Sequence, residues 1–229
     1  MPFYRNHKVV FGFILLIMLH SSPTQALDFL KYFTFSEKGV LNIWEEKLHK
    51  GKVKYTVIRD PAGDYIKADS KDSASGLYYE IKYDPRKKPY VSWKWKAEQF
   101  PKKDPSDMKK AKDDFVARVY VIFPAKVFIF SRCLEYVWDD VLDEGTITAS
   151  PLSGRIKLFV LRKGKKEGWI QEERNIYEDY LNAYGEEPAD FDDEVGAIAY
   201  MTDADDGHSR AVASVDEMKI GYLKPLLKK

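Results

Sequence analysis

The sequence predicts an all-β fold, a single β-sandwich domain with one short helix. Three observations carry this reading. About ten short apolar or alternating segments are divided by turn signals at roughly the 8–12-residue spacing of sandwiches. A single segment, residues 176–184, has helical spacing. Neither βαβ alternation nor a repeat of about 20–50 residues appears, which sets aside parallel nucleotide-binding sheets, propellers and solenoids.

The elements follow in order. Phe29 to Phe35 is an aromatic-rich lead-in, closed by a turn at Ser36-Glu37-Lys38-Gly39. Leu41 to Leu48 brings Trp44 into a charged run. Lys54 to Ile58 is a strand, ended by Asp60-Pro61-Ala62-Gly63-Asp64, where Pro, Gly and Asp each favour a turn. Tyr65 to Ala68 is a short strand, Asp69 to Gly76 a polar loop, and Leu77 to Tyr83 a strand. Tyr90 to Ala97 alternates, with Val91, Trp93, Trp95 and Ala97 on a core face. Residues 98–112 are polar and hold Pro101 and Pro105, which predicts a long loop.

The stretch from Lys112 to Phe123 reads as one long strand with a charged mouth. Phe115, Ala117, Val119, Val121 and Phe123 fall on one apolar face at period two, and Asp114, Val116, Arg118, Tyr120 and Ile122 on the other. Val127 to Phe130 is apolar, Cys133 to Trp138 alternates, and residues 145–154 read as a connection. Ile156 to Arg162 is a strand, residues 163–168 a hairpin loop, and Trp169 to Glu173 the returning strand. Asn175 can cap the helix, Ile176, Tyr180 and Leu181 form its apolar stripe, and Gly185 ends it. After an acidic loop, Val195 to Met201 is a buried-type strand. The acid-rich loop Thr202 to Arg210 follows, and two segments, Ala211 to Val215 and Met218 to Leu223, finish the sheet.

The first 26 residues stand apart from this domain. Arg5, His7 and Lys8 precede an apolar run from Val9 to Leu19, and Thr24-Gln25-Ala26 offers small residues at the cleavage positions. This is the pattern of an export signal cleaved after Ala26, which predicts a periplasmic or secreted protein with residues 27–229 as its one domain. The run is short for a membrane span, so membrane contact is expected only if the segment is retained. Cleavage removes Arg5 and Lys8 and no acid, taking 37 bases to 35 against 36 acids. A chain so near neutrality presents no global field for nucleic acid. Cys133 is the lone cysteine, so no disulfide can staple the fold, and stability must come from the core. The aromatic content of 14% has two uses in an exported β protein, core packing and carbohydrate stacking.

Charged residues on strands persist only when paired or wet, because desolvating each costs several kcal/mol. Two sets stand out: Asp113, Asp114 and Arg118, and Glu173, Arg174 and Asp179. They are expected to meet across the sheet, either as a structural network or as a polar groove. In the groove, Arg118 and Arg174 would donate hydrogen bonds and Tyr120 or Trp138 would stack on a ligand. Asp203 and Asp205, followed by Asp206 and His208, could supply hard oxygens to a cation or ligand. Enzyme signatures are scarce: there is no Gly-x-Ser-x-Gly, His-Glu-x-x-His or phosphate loop.

One set of motifs, in order, is more specific than any member. It runs Asp72-Ser73-Ala74-Ser75-Gly76-Leu77, Trp93-Lys94-Trp95, Asp113 to Tyr120, Glu135-Tyr136-Val137-Trp138, Glu173 to Tyr180 and Met201-Thr202-Asp203-Ala204-Asp205. From about Phe35 to about Ile220 the chain resembles an uncharacterised family of exported bacterial proteins, domain of unknown function 3047. Asp206-Gly207-His208 departs from the small polar pair expected after the second aspartate. The layout is also similar to the jelly-roll sandwiches called galactose-binding-like domains. That resemblance implies that an N-terminal aromatic strand pairs with the final strand. It also implies that Asp216, with Glu37 as a partner, holds a structural calcium.

The first expectation for function is a non-catalytic module that binds carbohydrate or another polar envelope component. Its ligand set would be Asp114, Arg118, Tyr120, Trp138, Glu173, Arg174, Asp203 and Asp205. One alternative is a carbohydrate-active hydrolase or lyase using Asp114, Glu173 or Asp179 as acid and base. Another is an envelope scaffold that binds protein.

Overall fold

The computed structural model describes residues 28–103 and 113–224. The expected export signal and Lys112 lie outside the described residues. Thirteen strands and one α-helix are found among those described. The strands are β1 (Lys31–Phe33), β2 (Glu45–Lys50), β3 (Lys54–Ile58), β4 (Tyr65–Lys71), β5 (Ala74–Tyr83), β6 (Tyr90–Gln99) and β7 (Ala117–Phe123). They continue with β8 (Arg132–Asp139), β9 (Ile147–Ala149), β10 (Ile156–Lys163), β11 (Ile170–Asn175), β12 (Val195–Asp203) and β13 (Arg210–Tyr222). The helix, α1, spans Ile176–Tyr184.

The strands form two sheets, a jelly-roll-type sandwich. One has the order β11-β6-β13-β4-β3, with β1 also on β13; the other runs β2-β5-β12-β7-β8-β10-β9. The pairing of the first strand with the last is as expected, with Lys31 opposite Ile220 and Phe33 opposite Met218.

The core lies between the sheets. Val91, Trp93 and Trp95 of β6 are fully buried, as their alternation predicts. They meet the inward side chains of β8: Trp93 lies 5.4 Å from Tyr136 and Trp95 5.6 Å from Trp138, centroid to centroid. Each such ring removes roughly 150–250 Å² from water. At about 25 cal/mol per Å² that is about 4–6 kcal/mol before entropy is set against it. No disulfide is needed to hold such a core. The helix packs on β11 and β8, with Ile176 and Tyr180 buried. Asn175 caps it by accepting from the Glu178 N–H at 3.2 Å, and Gly185 ends it at φ 65°.

Three local expectations are corrected. Residues 156–162 and 169–173 are not a hairpin: β10 runs parallel to β8, and β11 belongs to the other sheet, antiparallel to β6. The intervening loop crosses the sandwich and brings Glu172 beside Trp93 of β6 on the six-stranded sheet. Its carboxylate accepts from the Trp95 indole at 3.0 Å and from Arg162 Nε at 2.7 Å. The long strand starts at Ala117, and the described residues just before it, 113–116, are not strand. Phe115 leaves the period-two pattern to join Val137, Leu158 and Val160 in a small cluster on the other side of the sheet from the main core. Finally, residues 147–149, read as connection, add strand β9 at the edge of the seven-stranded sheet.

Candidate functional site

Register places a defined set of side chains on the solvent-side face of the seven-stranded sheet. Ala199 of β12 lies opposite Tyr78 of β5 on one side and Tyr120 of β7 on the other. Tyr120 in turn lies opposite Glu135 of β8. In the next row, Met201 lies between Gly76 and Arg118. Successive strands are about 4.8 Å apart, so the two tyrosines stand about 10 Å apart with an alanine between them. Both are half-buried, whereas Ala199 and Met201 are buried. Gly76 matters to this shape, because a Cβ there would stand 2.9 Å from the Tyr78 ring. Lys47 of β2 lies over the same ring at 4.8 Å. Burial pushes the Tyr78 hydroxyl up to about 12.

Beneath this row is a sealed charged network around Arg118, which is 2% exposed. Its Nε donates to Asp203 Oδ1 at 3.0 Å and its Nη1 to Glu135 Oε1 at 2.9 Å. Nη1 also donates to the Tyr120 hydroxyl at 3.2 Å, and Nη2 contacts Asp203 Oδ2 and the Asp113 carbonyl. The guanidinium stacks on the Phe115 ring, 4.7 Å from its centroid. Burial works against the charge of Arg118, but Tyr120, Asp113 and Glu135 outweigh it and hold the group firmly charged. Glu135, 1% exposed, moves the other way. Burial raises its carboxyl, Arg118 opposes, and Asp113 adds to the rise. Three carboxylates on one guanidinium leave it outnumbered.

The loop after β12 closes this network. Asp114, fully buried, accepts from the backbone N–H of Asp206 at 3.1 Å and of Gly207 at 2.7 Å. Asp203 also accepts from the Phe115 N–H at 2.9 Å. Ligand oxygens of Asp114, Asp203 and Asp205 all lie within 4.8 Å of one another. Asp205 is half-buried, with Lys50 Nζ 4.0 Å from its carboxylate. Burial raises the Asp206 carboxyl, and Asp205, Asp114 and Asp113 raise it further.

The two charged sets do not converge. Asp113, Asp114, Arg118, Tyr120, Asp203 and Asp205 gather on the seven-stranded sheet, but the second set belongs to the edge of the other sheet. There Arg174 Nε donates to Asp179 Oδ2 at 2.8 Å, and Tyr136 donates its hydroxyl to the same oxygen at 2.7 Å, tying the helix to both sheets. Glu173, adjacent in an extended strand, points the opposite way and accepts from the Tyr222 hydroxyl at 2.6 Å. Trp138 is corrected as a stacking residue: it is fully buried against Trp95, with its indole N–H donating to the Gly164 carbonyl at 2.9 Å. Asp216 accepts from the Glu217 N–H at 2.7 Å, and Glu37 is exposed on its turn.

Two members of the face were not singled out from sequence. Glu135 had a signal, since it occupies an outward position in the alternating Cys133–Trp138 segment. Tyr78 had none, because Leu77 to Tyr83 does not alternate cleanly.

The model of a family described as "Protein of unknown function (DUF3047)" matches residues 42–219. Among curated proteins, none matches the chain. Solved structures of similar fold include the family 11 carbohydrate-binding module of the cellulosomal cellulase Lic26A-Cel5E of Clostridium thermocellum. It is 12% identical, with 88% of this chain and 98% of that one covered at a TM-score of 0.46. Endoglucanase 3 of Trichoderma harzianum, from family GH12, is 12% identical, with 79% and 98% covered at 0.43. The xyloglucanase domain of NopAA from Sinorhizobium fredii is 10% identical, with 79% and 93% covered at 0.43.

Proposed function

The chain belongs to this family of proteins of unknown function, and from that premise we propose that it is an exported, non-catalytic module that binds a neutral carbohydrate. The single observation behind the reading is the pair of half-buried tyrosines, Tyr78 and Tyr120, flanking Ala199 on the solvent side of the seven-stranded sheet. Aromatic rings separated by a small residue offer apolar faces on which sugar C–H surfaces can rest. Two positions further along β5 the face reaches Glu80, opposite Ala197. Glu80 lines an open depression of about 480 Å³ with Lys82, Asp193, Glu194 and Gly196. Carboxylates accept hydrogen bonds from hydroxyls and repel anions, so this surface favours a neutral, hydroxyl-rich ligand.

The carboxylates first considered for acid–base chemistry support a non-catalytic role. Asp114 is sealed beneath backbone amides, Asp179 is held by Arg174 and Tyr136, and Glu173 lies on the other sheet. No two of them share one open groove. A glycan array of neutral oligosaccharides, followed by calorimetry on the best binder, tests the reading. Tyr78→Ala should weaken binding at least tenfold while the circular-dichroism spectrum stays unchanged. Failure of every neutral glycan to bind, or unchanged affinity in that variant, would reject it.

A further inference from the structure

We propose that the carbohydrate face takes a chain and not a single sugar: a linear, neutral oligosaccharide of at least three residues lying along β12, from the Tyr78–Tyr120 row to the depression beside Glu80. The proposal rests on the carbohydrate reading and specifies its ligand. Side chains two apart on a strand share a face. Tyr78 and Glu80 of β5, Ala199 and Ala197 of β12, and Tyr120 and Ile122 of β7 therefore look outward together in two rows. The two rows are not equally covered. Ala199, in register between the tyrosines, is fully buried. Ala197, in register between Glu80 and Ile122, is half-buried. Beyond it lies the depression of about 480 Å³, whose lining includes Pro124, Glu194 and Gly196. Gly196 permits that shape, since an added Cβ would stand 2.5 Å from Pro124 Cγ.

Length follows from strand geometry. Val195 lines the depression, and from Ala199 to Val195 the strand advances about 13 Å at about 3.3 Å per residue. A sugar in an extended chain advances about one strand spacing, about 5 Å. One sugar therefore meets only one end of the face, whereas three bridge both. Each end also holds a polar group that the protein leaves free. Glu80 is exposed and Tyr78 half-buried, and among the described residues neither the Glu80 carboxylate nor the Tyr78 hydroxyl has a hydrogen-bond or ion-pair partner. Their neighbours are engaged: Lys82 pairs with Glu194 at 2.7 Å, and the Tyr120 hydroxyl accepts from Arg118. A phenol hydroxyl donates and accepts, and a carboxylate accepts, so hydroxyls spaced along one chain satisfy both groups.

The test titrates the whole exported domain calorimetrically with linear series of glucose, mannose, galactose and xylose oligomers, from monomer to hexamer. In the series that binds, affinity should rise at least tenfold from dimer to tetramer. Glu80→Ala should abolish that gain, so that its tetramer binds no better than its dimer. Because Glu80 is exposed and unpaired, the Tm of this variant should stay at the wild-type value. A monomer that binds as tightly as the hexamer would overturn the chain and leave the carbohydrate reading standing. So would a tenfold gain that persists in Glu80→Ala. Silence across every series would remove the carbohydrate reading and this inference together.

Discussion

Arg118 and Glu135 meet across neighbouring strands β7 and β8, Nη1 to Oε1 at 2.9 Å, and both are closed to solvent. The same guanidinium serves Asp203 and the Asp113 carbonyl. Replacing it with methionine would leave buried carboxylates without a counter-charge. Arg118→Met is expected to cost about 3–5 kcal/mol, measured from urea unfolding midpoints at constant m-value.

The raised carboxyl of Glu135 has a consequence with a definite sign. A carboxyl whose native value lies above its ordinary 4.5 binds its proton more tightly when folded. Its stabilising contribution is therefore complete below that value and is lost as pH rises through the native one. As pH climbs from about 4.5, wild type should lose stability relative to Glu135→Gln, a trend that urea midpoints across a pH series will show. A gap that moved in wild type's favour would mean that Arg118 keeps the group ionised throughout.

Helix docking can be probed at one hydroxyl. Tyr136 donates to Asp179 from the sheet opposite β11, and Asp179 keeps Arg174 when that donor is removed. Tyr136→Phe should cost about 0.5–1.5 kcal/mol. Amide exchange should report the loss mainly in residues 176–184.

Gly207 is a position where only hydrogen fits. An added Cβ would stand 2.1 Å from the Lys102 carbonyl oxygen and 3.1 Å from Asp114 Oδ2. Because the first obstacle is backbone, Gly207→Ala should destabilise by about 1–3 kcal/mol. Gly154→Ala, whose new methyl meets nothing within 4 Å, should stay within about 0.5 kcal/mol. Thermal melts of the two side by side make the comparison.

What sequence alone determined follows from periodicity and caps, which are local. Alternation placed Val91, Trp93 and Trp95 in the core, and Asn175 and Gly185 bounded the helix, because those signals depend on neighbours a few residues away. The order of motifs identified the family. Which strand lies beside which was decided only in three dimensions. Residues 163–168 look like a hairpin, yet β11 pairs with β6 of the other sheet, where Glu172 accepts from the Trp95 indole and bonds Arg162 of β10 across the sandwich. The site shows the same divide. Arg118 and Asp114 were recognisable as charges that a strand must satisfy, but Glu135 and Asp203 became partners of Arg118 only when β8 and β12 took places on either side of β7, and Asp114 found the Asp206 and Gly207 amides of the loop after β12. Trp138 and Arg174 had equal claims from sequence. Packing buried one in the core and gave the other to the helix, since side-chain direction is set by which sheet a strand joins.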